Sequence, residues 1–456
     1  MAATSAVVIE GMAVPPPAND SAAPLSYPRP LRAWTTVIVL LLFSLVSVLD
    51  KNIVSLLAEN IRHDLALSDK QLSLLFGPAF AIAYAVGALP LGWAMDRYSR
   101  RLVLWFGVTL WSLATIASGL SRSFNQLLVA RAFVGAGESV LVPGNQAILA
   151  ETFPASRLSF PYAICSTGVM LGQGLSFAVG GLLVALIGAS GMVEMPIAGQ
   201  VHGWQAILVL VGLPGLALGL MAMAIPESRR TEASQQDRTN YRDYLAYVRR
   251  HPRFFIGLHC GSVLSVMIYA SLLAWTPTHF MRAHHLPTTQ VGLWLGAVVV
   301  AGPVLGQLTH GFVVDRLFRG GLRDAHARYL ATAVALSTIP LVAAFTVGNP
   351  WLAFVLLGIG YGMFSAFGVL GPVALQLMLP DELRGKAASG LTLVTGLAGM
   401  ALGPTVVAFI SDDIFHDPAK IGMALALYVA VALPLAGLGY ALAAKPLGAA
   451  HSVGRK

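Results

Sequence analysis

The sequence predicts an all-α membrane protein of twelve transmembrane helices in two pseudo-symmetric six-helix bundles. Three observations lead there. Of 456 residues 56% are hydrophobic and only 11% charged, against about 25% charged in soluble domains. The apolar residues fall in runs of about twenty, the length that crosses a bilayer as a helix rather than as a barrel strand. Landmarks of the first half return at equivalent places in the second, as in membrane proteins built from repeated bundles.

Runs bounded by charge or by Pro and Gly place the first six spans at 33–57, 71–93, 102–121, 125–150, 160–189 and 203–225. The second six fall at 253–280, 290–314, 328–347, 350–378, 387–411 and 421–443. Residues 1–30 are Pro-rich and polar, with neither a basic start nor a sustained apolar core, and read as a disordered cytoplasmic tail, not a cleavable signal. The bundles occupy 31–225 and 253–445, joined by a cytoplasmic linker at 226–252, with a short tail at 446–456. The linker holds Arg229, Arg230, Arg238, Arg242, Arg249 and Arg250, and its portion Tyr241–Arg250 has the pattern of a short amphipathic helix at the membrane surface.

The net charge of +8 does not call for nucleic acid, because the cations lie in loops of one parity. On the side of the termini are Arg97, Arg100, Arg101, Arg157, the linker arginines with Arg253, then Arg316, Arg319, Arg323, Arg328, Arg384 and Lys386. The other side has Lys51, Arg62, Lys70, Arg122, Arg282 and Lys420. The positive-inside rule puts both termini in the cytoplasm, with a bacterial inner membrane as the expected location. Cys165 and Cys260 lie in apolar runs and read as buried free thiols, without disulfide or metal spacing.

The repeat is visible in the text of the chain. Gly92-Trp-Ala-Met-Asp96-Arg97 ends the second span and Gly311-Phe-Val-Val-Asp315-Arg316 ends the eighth. Pro154–Arg157 before the fifth span is echoed by Pro380–Arg384 before the eleventh. Each is followed by glycines four apart, Gly168 and Gly172, then Gly399 and Gly403. Such glycines serve close helix packing. Six plus six spans with matching landmarks is the signature of a transporter.

Three intramembrane charges carry the chemistry. Arg131 and Glu138 sit seven residues apart in the fourth span, so the acid returns to nearly the same helix face about 10.5 Å along the axis. Either charge alone costs about 2.5–3.5 kcal/mol at a helix centre, which calls for a wet internal surface. Ser44, Ser47 and Asp50 recur every three residues and draw one polar stripe along the first span. Low-dielectric burial disfavours an ionised carboxylate and a nearby cation favours it, so an acid beside Arg131 is a candidate proton switch. The alternative is that Asp50 caps the helix at the outer water interface beside Lys51; intramembrane acids are functional by default, which favours the proton role. Arg131 either binds an anionic headgroup through its planar fork or pairs with Glu138 or Asp50. Glu138 is a second proton site or an ion-pair partner that stabilises one state. His259, Ser262, Tyr269 and Thr276 give the seventh span some polarity on a cavity-facing arc, where a lone histidine is more often a packing residue than a ligand, and Gln173 in the fifth span is similar. No nucleotide loop, zinc spacing or Ser/His pair stands out, so no enzyme and no metal site is expected.

At these residues the sequence resembles the major facilitator superfamily. Gly92-xxx-Asp96-Arg97-Tyr-Ser-Arg100-Arg101 is similar to its signature between the second and third helices, with Ser99 where the family has a glycine. Arg131 with Gly135 is similar to its helix-four motif, and Gly168–Gly181 to its glycine-rich helix five. Asp50-Lys51, the run Ala130–Glu138 and His202-Gly-Trp204 resemble the spinster group. The resemblance implies the major facilitator fold and alternating access. It also implies a proton-linked carrier of an amphipathic, anionic or zwitterionic substrate such as a lysolipid or sphingoid phosphate. Small organic anions or drugs are the alternative cargo, and a polytopic membrane enzyme is the least favoured reading. Within that frame Asp50 and Glu138 couple protons and, with Arg131, contact substrate. Asp96, Arg97, Arg100, Asp315 and Arg316 form a cytoplasmic gate. Protons replace any cofactor, and a monomer in the bilayer is expected.

Overall fold

The computed structural model describes residues 28–154, 157–189, 191–196, 199–226 and 241–453. Among them are 12 helices long and apolar enough to cross a membrane. The first six are Pro30–Leu56, Asp69–Met95, Arg100–Gly119, Phe124–Thr152, Phe160–Ile187 and Gly203–Ala224. The second six are Pro252–Ala283, Thr288–Arg319, Ala325–Thr346, Pro350–Met378, Arg384–Ile414 and Pro418–Ala449. With an even number of crossings the first span starts and the last ends on one side, the terminal face. The opposite side is the far face.

Local chemistry explains several boundaries. Ala66 closes the short helix Ala58–Leu65 in the left-handed conformation, at φ 51°. Ser68 then opens the second span with a capping box: its hydroxyl accepts from the Gln71 N–H at 3.2 Å, while Gln71 Oε1 accepts from the Ser68 N–H at 3.0 Å. That short helix and an antiparallel hairpin, Met192–Met195 paired with Gly199–His202, decorate the far face. Neither was expected from the apolar pattern, because both lie in polar loops.

Packing repeats between the halves as the landmarks do. Gly168 and Gly172 of the fifth span seat against Leu41 and Leu45 of the first, and Gly399 and Gly403 of the eleventh seat against Val266 and Met267 of the seventh. The fourth span is interrupted after Glu138 and resumes at Leu141, and the tenth is interrupted after Phe364 and resumes at Ala366. Large aromatics fill each bundle. Trp111 meets Phe43 edge-on at 6.4 Å in the first, and in the second the buried Trp275 finds the partner its indole N–H needs in the Pro404 carbonyl at 2.9 Å.

The bundles approach most closely where the fifth and eighth spans cross. A Cβ on Gly292 would lie 2.5 Å from the Phe177 carbonyl oxygen and 2.9 Å from Gly181 Cα, and one on Gly296 would lie 2.7 Å from the Gly174 carbonyl oxygen. Only glycine allows this approach.

Three expectations change. The last span runs on as helix to Val453, so residues 446–453 are not a tail; its turns at Ala443, Ala444 and Leu447 are still packed. Cys260 is exposed on the flank of the seventh span while Cys165 is buried, because a lipid-facing apolar residue and a core residue read alike in sequence. Helix Tyr241–Arg250 forms, but its aromatic face docks on the second bundle: Tyr247 Oη donates to the Met378 carbonyl at 2.6 Å, and Tyr244 packs edge-on against Phe255. The expected disordered tail (residues 1–27 of it) and Arg229, Arg230 and Arg238 lie outside the described residues.

Gly292→Val is expected to lower the apparent melting temperature in detergent, since forcing extra methyl groups into a packed crossing costs about 1–3 kcal/mol. Gly311→Ala, where the new Cβ meets open space, should leave it unchanged. Equal behaviour of the two in a thermal size-exclusion assay would contradict the packing described here.

Candidate functional site

The polar stripe of the first span faces the third and fourth spans along its length. Ser44 Oγ accepts from Asn145 Nδ2 at 3.2 Å, Ser47 Oγ donates to Glu138 Oε2 at 2.7 Å, and Asp50 Oδ2 accepts from Thr115 Oγ1 at 3.2 Å. Asp50, Arg131 and Glu138 are all buried. Asp50 lies about 9 Å before the end of the first span and Arg131 about 10 Å after the start of the fourth, so both stand at similar depth below the far face. Asp50 is therefore inside the bundle and is not a helix cap at the outer interface.

Arg131 is placed differently from the expectation of an ion pair. Its Nη1 points to the backbone carbonyl of Asp50 at 3.5 Å, and no hydrogen bond joins it to either carboxylate among the described residues. Asp50 Oδ1, Glu138 Oε1, Arg131 Nε and Asn145 Oδ1 have no hydrogen-bond partner. Buried polar atoms are ordinarily satisfied, and here four hydrogen-bonding positions on neighbouring side chains are left without a protein partner. Lys51, counted in the sequence as an outer-loop charge, sits inside the first span, with its ammonium 4.7 Å from the Phe80 ring centroid and 3.6 Å from Met400 Sδ of the other bundle. Its position after Asp50 in a helix that continues to Leu56 was the available signal.

Asn52 Nδ2 donates to Gln173 Oε1 at 2.5 Å, and Gln173 opens onto a cavity of about 180 Å³ between the fifth, seventh, eighth and tenth spans. Tyr269, Tyr361, Phe364 and Phe367 line it, with Gln307 and Ser365. The charged pocket thus belongs to the first bundle, and the aromatic wall belongs chiefly to the second. His259 is satisfied by the Phe255 carbonyl at 2.9 Å and stays a packing residue.

The far face is closed by an ionic latch that crosses between bundles. Arg282, at the end of the seventh span, holds Asp69 with two parallel bonds, Nη1 to Oδ2 at 2.7 Å and Nη2 to Oδ1 at 2.8 Å. It also donates to Glu59 Oε2 and to the Pro418 carbonyl, both at 2.8 Å. Lys70 adds a second crossing, with Nζ 2.6 Å from Asp413 and its backbone N–H 3.1 Å from Asp412 Oδ2. The bidentate arginine is the strong form of such contacts. Burial alone would raise the Glu59 carboxyl, but the hydrogen bonds and positive charges of Arg62 and Arg282 outweigh it and hold Glu59 below its ordinary value.

On the terminal face the expected gate residues are spread out. Arg97 lies over the Trp93 ring at 5.6 Å, Arg100 pairs with Glu151 of its own bundle and donates to the Ala147 carbonyl at 3.0 Å, and Asp315 and Arg316 are exposed. Asp96 occupies the last turn of the helix Pro78–Arg97, and its side chain lies outside the described residues. A Cβ on Gly92 or on Gly311 would meet nothing within 4 Å, so the two repeated glycines are not closely packed in this conformation.

The sequence model described as Major Facilitator Superfamily matches residues 39–404. The chain belongs to the Major Facilitator Superfamily. Its relatives include an "MFS-type efflux pump" of Mycolicibacterium smegmatis, 29% identical over 91% of this chain and 93% of that protein. "Protein spinster homolog 3" of Danio rerio is 23% identical over 84% of this chain and 78% of that protein. Among solved structures, a bacterial homolog of the human lysosomal transporter Spinster, in an inward-facing and unoccupied conformation, superposes with a TM-score of 0.74. It is 21% identical and covers 93% of this chain and 98% of its own. The resemblance to the spinster group stands, and the chain is a membrane transporter, not an enzyme.

For a Major Facilitator Superfamily transporter, the sequence had flagged the interior acids and passed over the latch. Glu59, Asp69 and Arg282 lie in separate loops and helix ends, and nothing in their local spacing ties them together.

Removing Arg282 leaves Asp69 buried and unpaired, a loss of about 3–5 kcal/mol. Arg282→Gln should therefore raise labelling of a cysteine at Met170, a cavity-lining position, by an impermeant thiol reagent applied from the far face, at least about tenfold. The pH response has a definite sign. Because the Glu59 carboxyl is held low in the folded chain, its share of the latch is complete above the ordinary carboxylate range and is lost as pH falls through the lowered value. Normalised at each pH to a freely accessible cysteine, since the thiolate is the reacting species, labelling should stay flat from neutral pH down to the ordinary carboxylate range and rise only below it.

Proposed function

We propose that this transporter is proton-coupled and carries an amphipathic substrate with an anionic or zwitterionic head, of lysolipid or sphingoid-phosphate type, by alternating access. The observation that carries this reading is the buried group of Asp50, Glu138 and Arg131, with one polar atom on each side chain lacking a hydrogen-bond partner. A carboxylate oxygen without a donor is a seat for a proton, and a guanidinium held by a single backbone carbonyl keeps donors for an anion. Asp50 is the first proton site and Glu138 the second; protonating them removes the negative charge near Arg131 and leaves the guanidinium to the head. The aromatic wall of Tyr269, Tyr361, Phe364 and Phe367 suits an apolar tail.

On this reading the chain sits in a bacterial inner membrane with its termini in the cytoplasm, as the loop arginines indicate, and acts as a monomer. The latch then closes the outer face, and the conformation faces inward. Asp96, Arg97, Arg100, Asp315 and Arg316 form the gate that closes when the carrier faces outward. The open space beside Gly92 and Gly311 supports that assignment, since a close approach there belongs to another state. A second reading, export of small organic anions or drugs, is favoured by the name of the mycobacterial relative and by the modest cavity.

Proteoliposomes with an imposed pH gradient test both readings. Uptake of a lysophospholipid should follow the gradient in the native chain and lose its pH dependence in Asp50→Asn, with Glu138→Gln giving a partial loss. Arg131→Gln should raise KM by about tenfold or more, as a charge-assisted contact with the substrate is lost. Gradient-independent flux that survives Asp50→Asn would exclude proton coupling. Competition by small dicarboxylates but not by lysophospholipids would favour the second reading.

A further inference from the structure

Lys51 follows Asp50 by one residue, so its side chain leaves the first span about 100° away from the polar stripe. That turn carries it onto the Phe80 ring of its own bundle and Met400 Sδ of the other. Neither partner is an acid, although the neighbouring pocket holds two: Asp50 on its own span and Glu138 on the fourth each keep an oxygen without a hydrogen-bond partner. Arg131 is the other cation of the neighbourhood. The second span brings Tyr84, stacked on Phe80 at 5.8 Å, and the eleventh brings the neutral Met400.

The seat of Lys51 lies on a seam. A Cβ on Gly77 would stand 2.8 Å from the carbonyl oxygens of both Met400 and Ala401, so the second and eleventh spans touch backbone to backbone beside it. The fourth span bears on the same place, with a Cβ on Gly135 falling 3.1 Å from Phe80 Cα. A π-helical stretch, Thr395–Gly399, ends directly at Met400, and such stretches inside helices are frequent at functional sites.

We propose that Lys51 is the positioning residue that couples the charged pocket to the far-face seam. Its ammonium is shared between the Phe80–Met400 seat, occupied here, and the pocket carboxylates or an anionic substrate head. Leaving the seat releases Met400 and lets the second and eleventh spans part. The coupling rests on the reading of the pocket as the transport site; the contact with Met400 does not.

Spin labels at His63→Cys and Ala419→Cys, on opposite bundles at the far face, read the seam in a chain lacking Cys165 and Cys260, reconstituted in nanodiscs. Lys51→Met should raise the long-distance population about five- to tenfold, Lys51→Arg should restore the native distribution, and Met400→Ala, an independent route if Lys51→Met does not fold, should shift it the same way. Lysophosphatidylglycerol should lengthen the distance in the native chain and leave Lys51→Met unmoved. A Lys51→Met distribution that superimposes on the native one overturns the proposal, as does an equal shift in Lys51→Arg. If Lys51→Met opens the seam while the native chain ignores lysophosphatidylglycerol, control of the seam by Lys51 stands and the lipid-head reading of the pocket falls.

Discussion

An arginine, a lysine and two carboxylates held at membrane depth are expensive unless something solvates them. Here the solvation comes from short side chains at helical spacing. Ser47 donates to Glu138, Thr115 to Asp50, and the Asp50 carbonyl receives Arg131. These contacts require the first span to lie against the third and fourth with its stripe inward, which in turn sets which faces of those helices meet lipid. The fold of the first bundle is therefore tied to its charges, and a change of charge in the pocket is felt by three helices at once.

The two faces of the molecule are organised on different principles. At the far face, charge crosses between bundles: Arg282 gathers Asp69 and Glu59, and Lys70 reaches Asp412 and Asp413. At the terminal face, Arg100 is matched with Glu151 inside one bundle. Interfaces of this kind are bistable, since packed surfaces either interlock or separate. Glycine contacts let the fifth and eighth spans approach closely, while the latch resists separation at one end.

Much of this was legible in the chain. Hydropathy located the spans to within a few residues, because the hydrocarbon thickness imposes a length that loops do not share. The period of Ser44, Ser47 and Asp50 identified the face that meets the neighbouring helices, since a buried stripe must be polar at helical spacing to be satisfied at all. What stayed hidden depends on distance along the chain. Arg282 finds Glu59 across more than two hundred positions, Lys51 finds Met400 on another bundle, and the aromatic wall joins Tyr269 of the seventh span to Tyr361, Phe364 and Phe367 of the tenth. Local pattern also cannot separate lipid-facing from core positions, which is why Cys260 was misplaced, nor does it mark where an apolar helix stops being wet, which is why residues 446–453 were read as tail.

The repeat gives the division of the cavity a structural basis. The fourth and tenth spans break at equivalent serines, Ser139 and Ser365. The residue before the break is Glu138 in one half and Phe364 in the other, and seven residues earlier stand Arg131 and Leu357. One backbone geometry thus presents a carboxylate and a guanidinium from the first bundle and a phenyl ring and an isobutyl group from the second. Phe364 lines the cavity, and Glu138 faces the stripe of the first span. Two-fold repetition of the backbone with opposite chemistry on its two copies thus sets a buried charged cluster in the first bundle and an aromatic cavity wall in the second.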